Sequence, residues 1–170
     1  MNFTALEDNF SILIKEHSRI IYKIANSYCR DVDDRNDLIQ EMIIQLWKTF
    51  DQYNNKYKFS TWMYRVTLNV AISFYRKEKR KKDYSVKLDD CIIDVIDENT
   101  SAEVEEKFNL LHQFIDELTE MNKALIILYL EENSYKEIAN ILGLTETNVA
   151  SKISRIKENI RLKFFNNKNE

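Results

Sequence analysis

The feature that most limits the fold of this chain is its lack of residues that turn the backbone: it has one glycine and no proline in 170 residues. Tight turns depend on glycine and proline, and Rossmann and P-loop sites need glycine where the backbone approaches phosphate. The sequence therefore argues against a turn-rich sheet and against both kinds of nucleotide site. Because 44% of the residues are hydrophobic and 31% charged, the chain is able to bury cores, and we predict an all-α fold.

Helical periodicity occupies two stretches of the chain, with a segment between them that lacks it. In the first stretch it predicts two packed helices and then a longer third one, which starts at a Ser60 or Thr61 cap and runs to Lys82. Their apolar stripes are Phe10, Leu13, His17, Ile20, Ile21 and Ile24; Ile39, Ile43, Leu46 and Phe50; and Trp62, Val66, Val70 and Phe74. Periodicity returns at Phe108, Leu111, Ile115 and Leu118 and continues through the apolar segment from Ala124 to Leu130.

We therefore predict two small helical domains, residues 1–82 and 104–165, joined by an acidic linker at residues 83–103. A tail at residues 166–170 follows, and the asparagine-rich segment from Phe164 is expected to be frayed. The net charge of −3 hides an uneven distribution: residues 1–82 carry +5, residues 83–120 carry −10 and residues 121–170 carry +2. Two mildly basic units thus flank an acidic segment, whose charge would keep it away from nucleic acid.

Residues 134–149 have the layout of a helix-turn-helix, a motif that places its second helix in the DNA major groove. The only glycine, Gly143, falls where the first helix must end. A second helix then begins at Thr145 or Glu146, with Val149, Ile153, Ile156 and Ile160 as its buried stripe. Its other face offers polar and basic groups suited to base edges and phosphates: Asn148, Ser151, Lys152, Ser154, Arg155 and Lys157. The alternative is a solvated face on a helical hairpin that binds no DNA.

Residues 57–82 interleave aromatic and polar side chains and end in six basic residues between Arg76 and Lys82. Exposed aromatics stack on unpaired bases and basic side chains neutralise phosphates, so this pattern suits strand-separated DNA. The alternative is that the aromatics are core and the basic run is solvated. Trp62, Asn69, Ser73, Arg76 and Arg80 would lie near one helix face. Upstream, Asp37, Gln40, Glu41 and Ile44 share a mixed acidic and apolar face that is either a protein-docking site or simply solvated.

Three motifs, taken together and in order, resemble regions 2 and 4 of the extracytoplasmic-function branch of the sigma-70 superfamily. They are Asp37-Leu-Ile-Gln-Glu41, then Phe59-Ser-Thr-Trp-Met-Tyr-Arg65 with Asn69-Val-Ala71, then the helix-turn-helix at residues 134–157. The match covers nearly the whole chain. The resemblance implies a non-catalytic sigma subunit that binds core RNA polymerase and directs it to particular promoters.

The resemblance also implies roles for the candidate residues. Asp37, Gln40, Glu41 and Ile44 would dock on the clamp helices of the β′ subunit. Asn69, together with the loop at residues 50–58, would capture a flipped base of the minus-10 element. The other minus-10 candidates are Trp62, Ser73, Arg76, Lys77 and Arg80, with Trp62 and Tyr64 acting mainly as scaffold.

Region 4 of this family reads the minus-35 element with its recognition helix. The resemblance assigns this reading to Asn148, Ser151 and Arg155, with Ser154 beside them and Lys136 and Lys152 as phosphate contacts. Many relatives carry a basic residue where this chain has Ala150, so the promoter sequence does not transfer from them. The implied partners are core polymerase, including its β flap, promoter DNA and an anti-sigma factor.

No constellation in the sequence suggests an enzyme, a metal centre or a cofactor site. Cys29 and Cys91 form no CxxC pair, and His17 and His112 have no ligand-like neighbours. The longest apolar run is far shorter than the roughly 20 residues that cross a bilayer, and no basic-then-apolar segment opens the chain, so we expect a cytoplasmic protein. Two rival functions remain: a helix-turn-helix regulator that binds duplex DNA without polymerase, and a helical interaction module.

Overall fold

The structure is a computed structural model that describes residues 3–54, 56–82, 114–115 and 117–166. It divides into two compact units, Met1–Cys91 and Ile92–Glu170. Every regular element among the described residues is helical, so the predicted all-α fold with two helical domains is confirmed. The division falls inside the predicted linker, but residues 83–103 lie outside the described part, and the predicted domain boundaries stay a prediction.

The first unit contains four α-helices and a short 3-10 turn within the described residues. These are α1 (Phe3–Glu16), α2 (Ser18–Tyr28), α3 (Val32–Thr49), the 3-10 turn Phe50–Gln52 and α4 (Phe59–Lys82). The first stripe was predicted to form one helix, and this is wrong because the backbone leaves helical geometry at His17 (φ −106°, ψ 12°). The Ser18 hydroxyl donates to the Lys15 carbonyl at 2.9 Å beside the break, a local bond that competes with the helical ladder.

Helix α3 begins at an aspartate cap, because Asp31 Oδ1 accepts the backbone N–H groups of Asp33 (2.9 Å) and Asp34 (3.0 Å). Its buried stripe is Leu38, Met42 and Leu46, each fully buried, and it packs on α2 and α4. The predicted stripe was wrong at Ile39, which is half-buried, and at Ile43, which is 38% exposed. Both stripes are apolar and both contain Leu46. Packing against α2 and α4 buries Leu38 and Met42, each one residue before its predicted counterpart.

Helix α4 begins at Phe59, so the prediction that Ser60 or Thr61 caps it is wrong. The Trp62 N–H donates to the Lys58 carbonyl at 3.2 Å in the first turn. The buried face consists of Phe59, Met63, Tyr64, Thr67, Leu68, Ala71 and Ile72, and the predicted stripe Trp62, Val66, Val70 and Phe74 is only half-buried beside it. The predicted stripe therefore lies at the edge of the buried face of α4 and not at its centre.

The second unit contains α5 (Glu120–Leu130), α6 (Tyr135–Leu142) and α7 (Glu146–Asn166) among the described residues. Thr119 caps α5, and Ser134 caps α6 in a reciprocal capping box with Glu137. The core brings together Leu125, Leu128, Ile138, Val149 and Ile153, all fully buried. Phe108 and Leu111 lie outside the described residues. Helix α7 continues to Asn166. The prediction that the chain is frayed from Phe164 onward is therefore wrong for residues 164–166.

Gly143 ends α6 in the left-handed conformation, at φ 68° and ψ 33°. A Cβ built on Gly143 would meet nothing within 4 Å, so substitution there changes only the backbone energy. We expect Gly143→Ala to destabilise the second unit by about 1 kcal/mol, the cost of a left-handed non-glycine residue. Gly143→Asn should lose less, since asparagine tolerates this conformation. Circular dichroism during urea unfolding measures the free energy of unfolding of each variant. A larger loss in Gly143→Asn than in Gly143→Ala would contradict this explanation.

None of the described helices combines the length and the apolar character needed to span a bilayer.

Candidate nucleic-acid and protein interfaces

The exposed face of α7 carries the side chains that the sequence assigned to DNA. Thr145 caps the helix by accepting the Asn148 N–H at 3.2 Å, while Val149, Ile153 and Ile156 bury the opposite side. The candidates on the outer side are Asn148, Ser151, Ser154 and Arg155, all exposed, and Lys152, half-buried; Lys136 is exposed on α6. A polar and basic surface thus runs along the first three turns of the helix, clear of the core.

Lys157, the last residue that the sequence placed on this face, contacts a neighbouring helix. Its ammonium sits 4.1 Å from the centroid of the Tyr129 ring on α5 and donates a hydrogen bond to the Tyr129 hydroxyl. That bond raises the pKa of Lys157, so the side chain stays charged and held against α5 at neutral pH. Lys157 therefore helps to join α5 to α7; it is exposed, as expected, and its contact with DNA stays a prediction.

One turn beyond Arg155, α7 carries an ion pair in place of free basic groups. Arg161 donates to both carboxylate oxygens of Glu158, at 2.9 and 3.1 Å. This bond lowers the pKa of the Glu158 carboxyl, which therefore keeps its negative charge. Since Glu158 is i+3 from Arg155 and shares its side of the helix, the positive surface ends at Arg155.

Helix α4 exposes a second polar and basic face. We call this surface the α4 face; its described members are Arg65, Asn69, Ser73, Arg76 and Lys77, all exposed. The spacing of four residues from Arg65 to Asn69 to Ser73 places these three on one line along the helix. The backbone of Arg80 continues this helix, but its side chain lies outside the described part.

Trp62 precedes this face and is half-buried in an aromatic cluster. Its ring centroid lies 5.2 Å from Phe59, 5.4 Å from Tyr53 and 6.3 Å from Phe50. Tyr64 is buried. These contacts agree with the scaffold role expected for both residues, and they fix the start of α4 against the preceding loop.

The loop at residues 50–58 is held by side-chain hydrogen bonds. The Tyr53 hydroxyl donates to the Tyr57 carbonyl at 3.1 Å, and the Lys56 N–H donates to Asn54 Oδ1 at 3.2 Å. The Tyr57 ring remains 41% exposed. The contact between the Tyr57 ring and Arg65 of α4 was not predictable from sequence, because nothing in the spacing of these residues indicates how the loop turns.

The outer face of α3 carries Asp37, Gln40, Glu41 and Ile44 in exposed positions, as expected. Ile44 is 50% exposed, and the neighbouring Ile43, predicted as core, adds a further exposed aliphatic side chain. Two adjacent exposed isoleucines bordered by carboxylates form a surface of the kind that docks another protein. We call these five residues the α3 face.

Within the described residues, no group of three or more His, Cys, Asp or Glu side chains could hold a metal ion. The Cys29 side chain is buried, and the His17 ring lies 5.3 Å from Phe59. Cys91 and His112 lie outside the described residues.

Comparison with known proteins finds two family models in this chain. The model for Sigma-70 region 2 matches residues 13–81 and that for Sigma-70 region 4 matches residues 108–160. The first model includes the α3 face and the α4 face, and the second includes the helix-turn-helix. The two matches occur in the order that the motifs predicted.

Two curated relatives match along most of their own length. RNA polymerase sigma factor SigV of Bacillus subtilis is 29% identical over 150 residues, which is 88% of this chain and 87% of SigV. ECF RNA polymerase sigma factor SigW of the same organism is 26% identical over 167 residues, 91% of this chain and 88% of SigW. ECF stands for extracytoplasmic function.

Solved structures show the same fold. The sigma factor RpoE of Bartonella quintana, solved with the anti-sigma factor NepR, superposes with a TM-score of 0.69 at 19% identity, covering 93% of this chain and 95% of RpoE. CnrH, solved with the cytosolic domain of CnrY, gives a TM-score of 0.65 at 18% identity, covering 92% of this chain and 87% of CnrH.

Proposed function

The chain belongs to the extracytoplasmic-function branch of the sigma-70 family, and from this premise we propose how its residues divide the work of promoter recognition. Sigma factors of this family are non-enzymatic initiation factors: they bind core RNA polymerase and direct transcription from specific promoters. We further propose that this chain has no catalytic activity of its own and acts in the cytoplasm, where its polymerase is.

The first unit would carry two of the three tasks. The α3 face would dock on the β′ clamp helices, because exposed Ile43 and Ile44 supply apolar area and Asp37 and Glu41 supply charge. The α4 face would bind the minus-10 element once its strands separate. Asn69 would hold a flipped base through its amide, while Ser73, Arg76, Lys77 and Arg80 would contact the backbone.

The second unit would read the minus-35 element in duplex form. Asn148, Ser151 and Arg155 project from the first turns of α7, which is where a recognition helix reaches base edges. Lys136 and Lys152 would contact phosphates on either side, with Ser154 nearby. Ala150 is half-buried and offers only a methyl group, so base preference at that position would rest on apolar contact or DNA shape.

One observation carries this division of labour. Two separate units each expose a polar and basic face, and the first adds an acidic and apolar face that DNA would not bind. A helix-turn-helix regulator acting alone has no use for the α3 face or the α4 face. The linker predicted at residues 83–103 would extend to about 70 Å, long enough to connect two promoter elements.

The proposal also includes regulation by an anti-sigma factor, since both solved neighbours were captured with a partner: NepR, an anti-sigma factor, in one case and the cytosolic domain of CnrY in the other. An anti-sigma factor for this chain would cover faces that polymerase or DNA otherwise needs. If the anti-sigma factor and core polymerase compete for the α3 face, adding the anti-sigma factor would reduce the binding of this chain to core polymerase.

The direct test mixes the full chain with core polymerase and genomic DNA and sequences the transcripts made in vitro. We expect start sites that share two sequence elements and that core polymerase alone does not use. Pull-down of core polymerase tests the rival regulator, which would bind DNA without polymerase. Binding of core without promoter-specific starts would contradict the proposal and favour an interaction module.

Replacing Arg155 by alanine should change minus-35 preference. A bidentate arginine–base contact gives about 1 to 3 kcal/mol of discrimination, so the variant should lose roughly tenfold or more at its preferred sequence and little elsewhere. Arg161→Ala is the matched control, because Arg161 is also an exposed arginine of α7 but is paired with Glu158. The affinity of each variant for a library of minus-35 sequences measures the change in preference. A uniform loss across sequences would make Arg155 a phosphate contact.

A further inference from the structure

Lys157 on α7 meets tyrosines from the two other helices of the second unit. Its ammonium lies 4.1 Å from the ring centroid of Tyr129 on α5 and donates to the Tyr129 hydroxyl. The centroid of the Tyr129 ring lies 6.4 Å from that of Tyr135, the first residue of α6. We call these three residues the Tyr129 cluster. It connects α5, α6 and α7, and the last two of these form the helix-turn-helix.

The two tyrosines are held in place by the turn that joins α5 to α6. The side-chain amide of Asn133 donates to the Leu128 carbonyl at 3.0 Å, and the Asn133 backbone N–H donates to the same oxygen at 3.2 Å. Because the chain between Tyr129 and Tyr135 is fixed by these bonds, the two rings form a preset surface. The position of Lys157 against that surface then sets the position of α7.

The contact of α7 with the core is aliphatic. Its buried side chains are Val149, Ile153 and Ile156, and apolar burial depends on area more than on direction. Such contacts hold a helix against its neighbours but restrict its rotation and sliding less than directional contacts do. A hydrogen bond and a cation over a ring both depend on distance and angle. The Tyr129 cluster therefore adds a directional restraint to the orientation of α7.

This restraint acts on the side of α7 opposite Arg155. Lys157 follows Arg155 by two residues, and at about 100° per residue the two side chains leave the helix about 200° apart. Polar contacts of a recognition site need their groups within about 0.5 Å of the productive geometry. A small rotation of α7 about its axis would therefore move the Arg155 guanidinium away from its base. A contact on the far side of the helix can set this alignment without touching DNA.

We propose that Lys157 is a positioning residue for minus-35 recognition: through the Tyr129 cluster it fixes the orientation of α7 from which Arg155 reads its base. This proposal rests on the role proposed above for α7 in reading the minus-35 element. It gives Lys157 a part in sequence discrimination, in which its ammonium acts on Tyr129 and not on a phosphate.

The test uses holoenzyme assembled from core polymerase and the full chain, bound to promoter fragments with preferred or altered minus-35 sequences. Lys157→Met removes the cation and the donor, and Tyr129→Leu removes the ring and the hydroxyl. Each should reduce discrimination between the sequences about three- to tenfold, the size expected of one exposed cation–π contact and one hydrogen bond. The double variant should lose no more than either single variant, because both changes remove the same contact. Lys157→Arg keeps a cation for the ring and should restore discrimination.

Two further measurements separate positioning from other roles. The slope of log affinity against log salt concentration should be unchanged in Lys157→Met, whereas loss of a phosphate contact lowers it by about 1. Circular dichroism during urea unfolding gives the stability of each variant. Lys163→Met is the matched control, because Lys163 also belongs to α7 and lies 5.5 Å from a ring centroid, that of Phe114, but further along the helix. This control should keep parental discrimination.

Each outcome decides something different. If Lys157→Met and Tyr129→Leu keep parental discrimination while Arg155→Ala loses it, the positioning role is refuted and the proposed function stands. If Arg155→Ala keeps discrimination as well, the proposed reading of the minus-35 element by α7 is itself refuted. Equal loss on all sequences with a lower salt slope would make Lys157 a phosphate contact and refute the proposal. Equal loss with an unchanged slope and reduced stability would refute it in favour of a purely structural role.

Discussion

Replacing Asn69 by alanine is expected to slow promoter opening by roughly 10- to 100-fold while duplex binding by the second unit is retained, because a flipped base costs a few kcal/mol of stacking that a prepared pocket must offset. Asn69 is exposed in the middle of α4, so its removal leaves the core of the first unit intact. The Asn69 amide can donate and accept at the same time in a matched pair of hydrogen bonds with a base edge, whereas the arginine and lysine side chains of the α4 face can only donate.

Permanganate reactivity of unpaired thymines measures opening, and electrophoretic mobility of closed complexes measures duplex binding. Asn26→Ala is the matched control, because Asn26 is also an exposed asparagine on a helix of the first unit but lies on α2. Unchanged thymine reactivity in Asn69→Ala would refute its role. Equal loss in both variants would show that opening responds to general destabilisation.

The second large effect concerns two adjacent residues of α3 that sequence periodicity ranked in the wrong order. Met42 is fully buried and Ile43 is 38% exposed. Met42→Ala should destabilise the first unit by about 2 to 5 kcal/mol through lost burial and the cavity left behind, whereas Ile43→Ala should cost about 1 kcal/mol or less. Both tryptophans, Trp47 and Trp62, belong to the first unit, so fluorescence during urea unfolding reports on that unit directly.

Binding to core polymerase should show the reverse order. Ile43→Ala removes apolar area from the α3 face and should weaken core binding about tenfold, as truncation of an interface residue with an effect above 1 kcal/mol does. Met42→Ala should leave affinity nearly unchanged at temperatures where the variant is folded. If Ile43→Ala destabilises as strongly as Met42→Ala, the burial order is wrong; if it leaves core binding unchanged, Ile43 is not part of the docking surface.

The helix-turn-helix was predictable because local chemistry specifies it. Gly143 accepts a left-handed backbone at φ 68°, and Ser134 with Glu137 forms a reciprocal cap; both features depend only on residues within one helical turn. Three residues of the predicted stripe, Val149, Ile153 and Ile156, are buried as expected, since the helix has one apolar side. The fourth, Ile160, is only half-buried.

The faces of α3 and α4 were less predictable because each helix has more apolar positions than its core can bury. Ile39, Met42, Ile43, Ile44 and Leu46 surround much of α3, and periodicity alone fits more than one stripe. The exposed members of the docking and DNA faces were nevertheless named correctly as exposed, because Asp37, Glu41, Asn69 and Arg76 would be costly to bury under either choice.

By itself, then, the sequence determined the class of fold, the helix-turn-helix and the family, since these depend on backbone breakers, caps and motif order along the chain. Tertiary structure decided which apolar stripe of α3 became core, where the first helix breaks at His17, and that the loop before α4 sets Tyr57 beside Arg65. The physical reason is that capping and left-handed turns are energies of neighbouring residues. The choice between apolar faces is an energy of packing between helices that are distant in sequence.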